Sequence, residues 1–142
     1  MKKRLTERKI ANELEREAFK IAARVLDCYG IEYTAPTGMV KCFTIFPVQS
    51  VNYYLSLRVN TDETEAELVA GYGTSHRRWK RNKIACFHLG NPDLLKLIEK
   101  RILETLGKET AKWIKAAKKE IKEMEERIKK MKEMGKILGD NA

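Results

Sequence analysis

The stretch Val51-Asn52-Tyr53-Tyr54-Leu55-Ser56-Leu57-Arg58-Val59-Asn60 decides the fold. Val51, Tyr53, Leu55, Leu57 and Val59 alternate with Asn52, Tyr54, Ser56, Arg58 and Asn60, the period of a strand with one buried face. The polar turn Thr61-Asp62-Glu63-Thr64 follows, and then Ala66, Leu68, Ala70 and Tyr72 alternate with Glu65, Glu67, Val69 and Gly71. A four-residue loop sets Asn60 opposite Glu65 and Arg58 opposite Glu67. Both apolar sets then fall on one side, and Arg58 gains an opposite charge across the strands. An antiparallel hairpin is therefore the centre of the fold.

Toward the N-terminus, residues 39–46 are apolar on both faces and read as a covered strand stopped by Pro47. Residues 31–38 carry Pro36 and Gly38 and read as loop. Before them, Ile10, Leu14, Ala18, Ile21, Val25 and Tyr29 form one helical face. Thr6 is the expected N-cap, and Gly30 the expected end, with Ile31 folding back on Leu26.

Toward the C-terminus, residues 74–83 read as a basic loop and residues 84–89 as a fourth strand. Gly90-Asn91-Pro92-Asp93 is a helix start, with Asn91 as cap. Leu94, Leu95, Ile98, Ile102 and Leu106 give that helix its buried face, and Gly107 is expected to end it. The expectation is an α+β fold: an N-terminal helix, a four-stranded antiparallel sheet and two C-terminal helices, the last one long with coiled-coil-like heptads. It divides into a compact unit, residues 1–107, and a basic helix, residues 108–142.

The chain's 43% hydrophobic and 35% charged residues are too apolar for a disordered protein. No apolar run approaches the ~20 residues a membrane helix needs, and no apolar segment follows Met1-Lys2-Lys3-Arg4 as in a secretory signal. Cys28, Cys42 and Cys86, odd in number and far apart, read as reduced, buried thiols. These features point to a cytoplasmic protein without a membrane partner. No phosphate-loop or dinucleotide motif is present, and no cofactor is expected.

The net charge of +9 is unevenly placed. Residues 76–91 carry five cations and no acid, and residues 108–136 carry eleven cations against six acids. Such a field favours polyanions. Within His76-Arg77-Arg78-Trp79-Lys80-Arg81-Asn82-Lys83, the residues Arg77, Arg78, Lys80, Arg81 and Lys83 are suited to phosphates, and an exposed Trp79 would offer a stacking face to an unpaired base. Tyr54 and Arg58, on the polar side of their strand, would extend that platform. Lys2, Lys3 and Arg4 would add a weaker rim.

Ile114, Ala117, Ile121, Met124, Ile128 and Met131 follow alternating steps of three and four, an a/d seam. A parallel dimer would set Glu120 against Glu125 and Arg127 against Lys132. An antiparallel one sets Glu120 against Arg127 and Lys118 against Glu125. Antiparallel self-association is thus an expected use of the seam, and folding back on the compact unit is the other.

Metal chemistry has little support. Cys42, Cys86, His76 and His88 have no ligand spacing, and no metal site is expected. Asp62, Glu63, Glu65 and Glu67 would be the acids of a nuclease, but they lack an adjacent lysine. The helix–strands–helix order is similar in outline to that of double-stranded-RNA-binding domains, without their lysine-rich second-helix signature, and no residue role is carried over. A small, basic, motif-poor chain also resembles phage and mobile-element accessory proteins, some of which inhibit CRISPR nucleases. The expected function is non-enzymatic binding of DNA or RNA, or of a nucleoprotein complex, through the Trp79 loop. The alternatives are a protein-interaction module or inhibitor, and a metal-dependent nuclease.

Overall fold

The computed structural model describes the backbone of residues 2–36, 42–60, 62 and 64–140, and the side chains of residues 12–36, 42–60, 62 and 64–139. Two helices flank an antiparallel sheet: α1 (Lys2–Cys28), β1 (Glu32–Thr34), β2 (Phe43–Val48), β3 (Val51–Val59), β4 (Glu65–Ser75), β5 (Arg78–Trp79), β6 (Asn82–His88) and α2 (Leu94–Asp140). The sheet order is β1-β2-β3-β4, with β5 and β6 both pairing along β4.

The central hairpin has the expected register, Arg58 opposite Glu67, and the Asn60 N–H donates to the Glu65 carbonyl. The Asn60 side chain closes the turn by accepting from the N–H groups of Thr64 and Glu65. Tyr53, Leu55, Leu57, Leu68 and Ala70 face the core, where Ala18, Phe19, Ala22 and Leu26 of α1 meet Ile98, Ile102, Leu106 and Trp113 of α2. Both helices cover the same face of the sheet.

Several expectations need correction. The sheet has six strands, not four, and α2 is one continuous helix of 47 residues, not two. Gly107 lies inside it. A helical glycine costs about 1 kcal/mol relative to alanine, and here Leu106 and Trp113 are packed in the core on either side of it, which carries the helix through. The segment read as loop contains β1, whose three residues are too few to show a period. Tyr33 of β1 stacks on Phe43 at 5.2 Å and its hydroxyl donates to Asp27. Pro47 lies within β2 rather than after it, at a register shift where a missing N–H removes no ladder bond. The 39–41 part of the expected strand lies outside the described residues.

Helix α1 begins four residues before Thr6, because Lys2, Lys3, Arg4 and Leu5 are all good helix formers. Its buried face runs through Glu15, Ala18, Phe19, Ala22 and Leu26, and Tyr29 is 79% exposed. It ends as expected: Gly30 has φ +66°, the Ile31 N–H donates to the Leu26 carbonyl, and the Gly30 N–H to that of Asp27.

The body's hold on α2 continues past residue 107. Trp113 is buried against Tyr53, its indole N–H donates to the Tyr72 hydroxyl, and that hydroxyl donates to Glu109. Further on, the Ser50 N–H donates to the Glu120 carboxylate at 2.8 Å. Among the described residues no helix is long and apolar enough to cross a membrane.

Among the described residues one carboxyl, that of Glu15, is buried in this frame. Beyond the pair Phe43–Leu55, where the described β2–β3 ladder stops, the Leu57 N–H donates instead to Glu15 at 2.8 Å, and the Ser56 hydroxyl donates to the same oxygen at 3.0 Å. Burial raises the Glu15 carboxyl to about 7, against the lowering effect of those two donors. A carboxyl that holds its proton more tightly folded than unfolded lends stability at acid pH. That contribution is complete below the unfolded value and is lost as pH rises through about 7. The free energy of unfolding should therefore fall by on the order of 2–3 kcal/mol between pH 5 and pH 8. Glu15→Gln keeps an acceptor and should flatten that slope. Equal slopes in the two proteins would contradict this account.

Candidate nucleic-acid interface

The basic segment is not an open loop. Residues His76 and Arg77 turn the chain sharply, and Trp79 and Arg78 pair with Gly73 and Ser75 of β4. The Lys80 N–H then donates to the Tyr72 carbonyl, and after a break at Lys80 and Arg81 the chain rejoins β4 as β6. The hairpin bends over the sheet face opposite the helices, and two glycines permit it. A Cβ at Gly71 would lie 1.7 Å from the Lys80 carbonyl oxygen, and one at Gly73 would lie 2.3 Å from both the Arg78 carbonyl oxygen and the Trp79 Cβ. These are glycines of close backbone approach, the use that an isolated strand glycine signals.

Trp79 anchors the bend. It is 7% exposed and stacks on Tyr54, itself 3% exposed, at 5.5 Å and 20° between planes. Its indole N–H donates to the His76 carbonyl at 3.1 Å. The Arg81 guanidinium lies 4.4 Å above the indole and donates to the Trp79 carbonyl. Cys42 and Val69 complete this small cluster, and burial pushes the Cys42 thiol up. The expected open stacking face at Trp79, extended by Tyr54, is thus absent. The two rings cover one another because Tyr54 lies in register with Gly71, which leaves room above the sheet for the indole.

The cations divide by environment. Arg77, Arg78 and Lys80 are exposed and form no ion pair among the described residues. Arg81 is exposed but tied to Trp79. Lys83 is exposed and lies against Cys86, with Glu67 and Glu65 acting on it from the neighbouring strand, which raises its pKa. Arg58 is exposed on the same sheet face, in register with Glu67. The side chains of Lys2, Lys3 and Arg4 lie outside the described residues. The hairpin therefore presents three unpaired cations on a rigid mount.

Of the nuclease acids, Glu65 and Glu67 do gain a nearby lysine, Lys83 of the neighbouring strand, against the expectation from sequence. Among the described residues no three His, Cys, Asp or Glu side chains lie close enough to hold a metal ion. The His88 imidazole accepts from the Gly90 N–H, and Cys42 lies beside the Thr44 hydroxyl; of the three cysteines expected to be buried only Cys42 is, while Cys28 and Cys86 are exposed. Glu63 lies outside the described residues. Glu15 also lines a cleft with Arg16, Lys20 and Phe19, where it accepts from the Leu57 N–H. The signals that mark this site in hindsight are Gly71 and Gly73 within a strand-like alternation.

The chain matches no protein-family model, no curated protein and no solved structure.

Alanine at Gly71 should push the hairpin off the sheet, at a cost of ~1–3 kcal/mol or more. In a Trp113→Phe background, which leaves Trp79 as the only indole, Gly71→Ala should lower Tm and red-shift the emission. An unchanged Tm and emission would refute the close approach.

Proposed function

We propose that this chain is a non-enzymatic nucleic-acid-binding protein that grips phosphates through the β4–β5 hairpin. The observation that carries the reading is the set of three exposed cations, Arg77, Arg78 and Lys80, at a hairpin tip whose residues 73–83 include no acid and are held by Trp79 over Tyr54. Exposed cations on a backbone held in place by Trp79 release counterions on meeting a polyanion. Arg81 and Lys83 add charge at its border. The indole acts as an anchor rather than a base-stacking surface, so the contact is to backbone phosphate and carries little sequence preference. Lys2, Lys3, Arg4 and the lysines of α2 would widen the positive field. The target is free DNA or RNA, or the nucleic acid of a nucleoprotein complex.

Titration of labelled single- and double-stranded DNA and RNA at several salt concentrations tests this. Each of Arg77→Ala, Arg78→Ala and Lys80→Ala should reduce the salt slope by about one, equally across sequences. No binding near physiological salt, or a slope indifferent to all three, would overturn the assignment. A protein-interaction role is the second reading. It is favoured by the apolar stripe along α2, where Ile114, Ile121, Met124, Ile128 and Met131 are all exposed and Ala117 is partly so.

A further inference from the structure

Helix α2 rules out one use of its seam. Because it is continuous to Asp140, the seam does not fold back on the body. An apolar stripe at alternating steps of three and four runs from Gly107 to Leu138, a length of ~47 Å. Its large residues remain open, from 43% exposure at Ile128 to 60% at Leu138. Two glycines, Gly107 and Gly135, interrupt the stripe, and a Cβ at either would meet nothing within 4 Å. Nothing within the chain crowds these positions, although each glycine weakens the helix.

We infer that the stripe is covered by a second copy of this chain, antiparallel, with Ile121 of one copy opposite Met124 of the other. In that register Ala117 lies opposite Ile128, and Ile114 opposite Met131. Thr110 then lies opposite Gly135, and Gly107 opposite Leu138, so every stripe position has a partner. The glycines receive the facing Leu138 and Thr110, which accounts for their lack of side chains.

The flanking charges select the same register. Glu120 meets Arg127 of the second copy, and Lys118 meets its Glu125, each pair occurring twice by symmetry. Sliding one heptad one way sets Arg127 against Arg127, Glu125 against Glu125, and Lys118 against Lys132. Sliding the other way sets Glu120 against Glu120 and Lys118 against Lys118, with Glu104–Lys132 as the compensating pair. A parallel pairing opposes Glu120 to Glu125 and Arg127 to Lys132. Of these four arrangements only the first pairs the whole stripe without a like-charge contact. This inference stands on the stripe and its flanking charges alone, so it holds or fails separately from the nucleic-acid reading.

Sedimentation equilibrium of the full chain, without nucleic acid, should show a dimer. Ile121→Asp should yield a monomer whose near-ultraviolet circular dichroism is unchanged, since Ile121 is 58% exposed and lies outside the core cluster. Glu125→Lys should weaken the dimer by about five- to tenfold, because it then faces Lys118. Adding Lys118→Glu should restore it. A parallel dimer would instead be tightened by Glu125→Lys, through Glu120, and that result would overturn the orientation. A monomer at all concentrations up to roughly 100 μM, well above the ordinary range of such dimers, would overturn the inference and leave the stripe to a different protein.

Discussion

Neighbouring side chains on a strand point to opposite faces, and at Tyr53 and Tyr54 that alternation joins the two halves of the molecule. Tyr53 turns to the helices, where it meets Tyr72 of β4 at 4.9 Å and Trp113 of α2 at 5.8 Å. Tyr54 turns the other way and receives Trp79. One strand therefore seats both the long helix and the basic hairpin. Burial first, and then the Glu109 bond, push the Tyr72 hydroxyl well above its ordinary range. It stays a donor at any physiological pH, and the seat of α2 does not loosen with modest alkalinity.

How far the fold was legible follows from how much of each element's energy is local. The central hairpin was readable because its period, its turn and its cross-strand charges all agree. The end of α1 was readable because a Gly30 turn is a local event. The three-residue β1 was not, since its stability comes from Tyr33 against Phe43, a contact between residues ten apart. The continuity of α2 was not either. A propensity argument stops at Gly107, whereas the packed Leu106 and Trp113 span it.

The site followed the same division. The charge of the hairpin could be read directly from Arg77 to Lys83. The direction of Trp79 could not, because it depends on the space left by Gly71 and Gly73 on another strand and on a ring at Tyr54. An aromatic among cations serves equally as a ligand surface or as an anchor, and the choice lies in tertiary geometry. Glu15 was also missed: its role arises only where the described β2–β3 pairing stops and leaves the Leu57 N–H to be met from a helix.

A helix of 47 residues that is packed on the sheet at one end and exposed at the other also has a phase. Each residue advances the rod by about 1.5 Å and turns it by about 100°. Inserting one residue between Glu120 and the bare end would rotate every outer apolar position by that angle relative to the sheet and its hairpin. Seven residues would nearly restore the angle while moving the end outward by ~10 Å. Length changes in this part of the chain are thus quantised. The helix acts as a spacer whose pitch ties the bearing of its far end to the face that carries the cations.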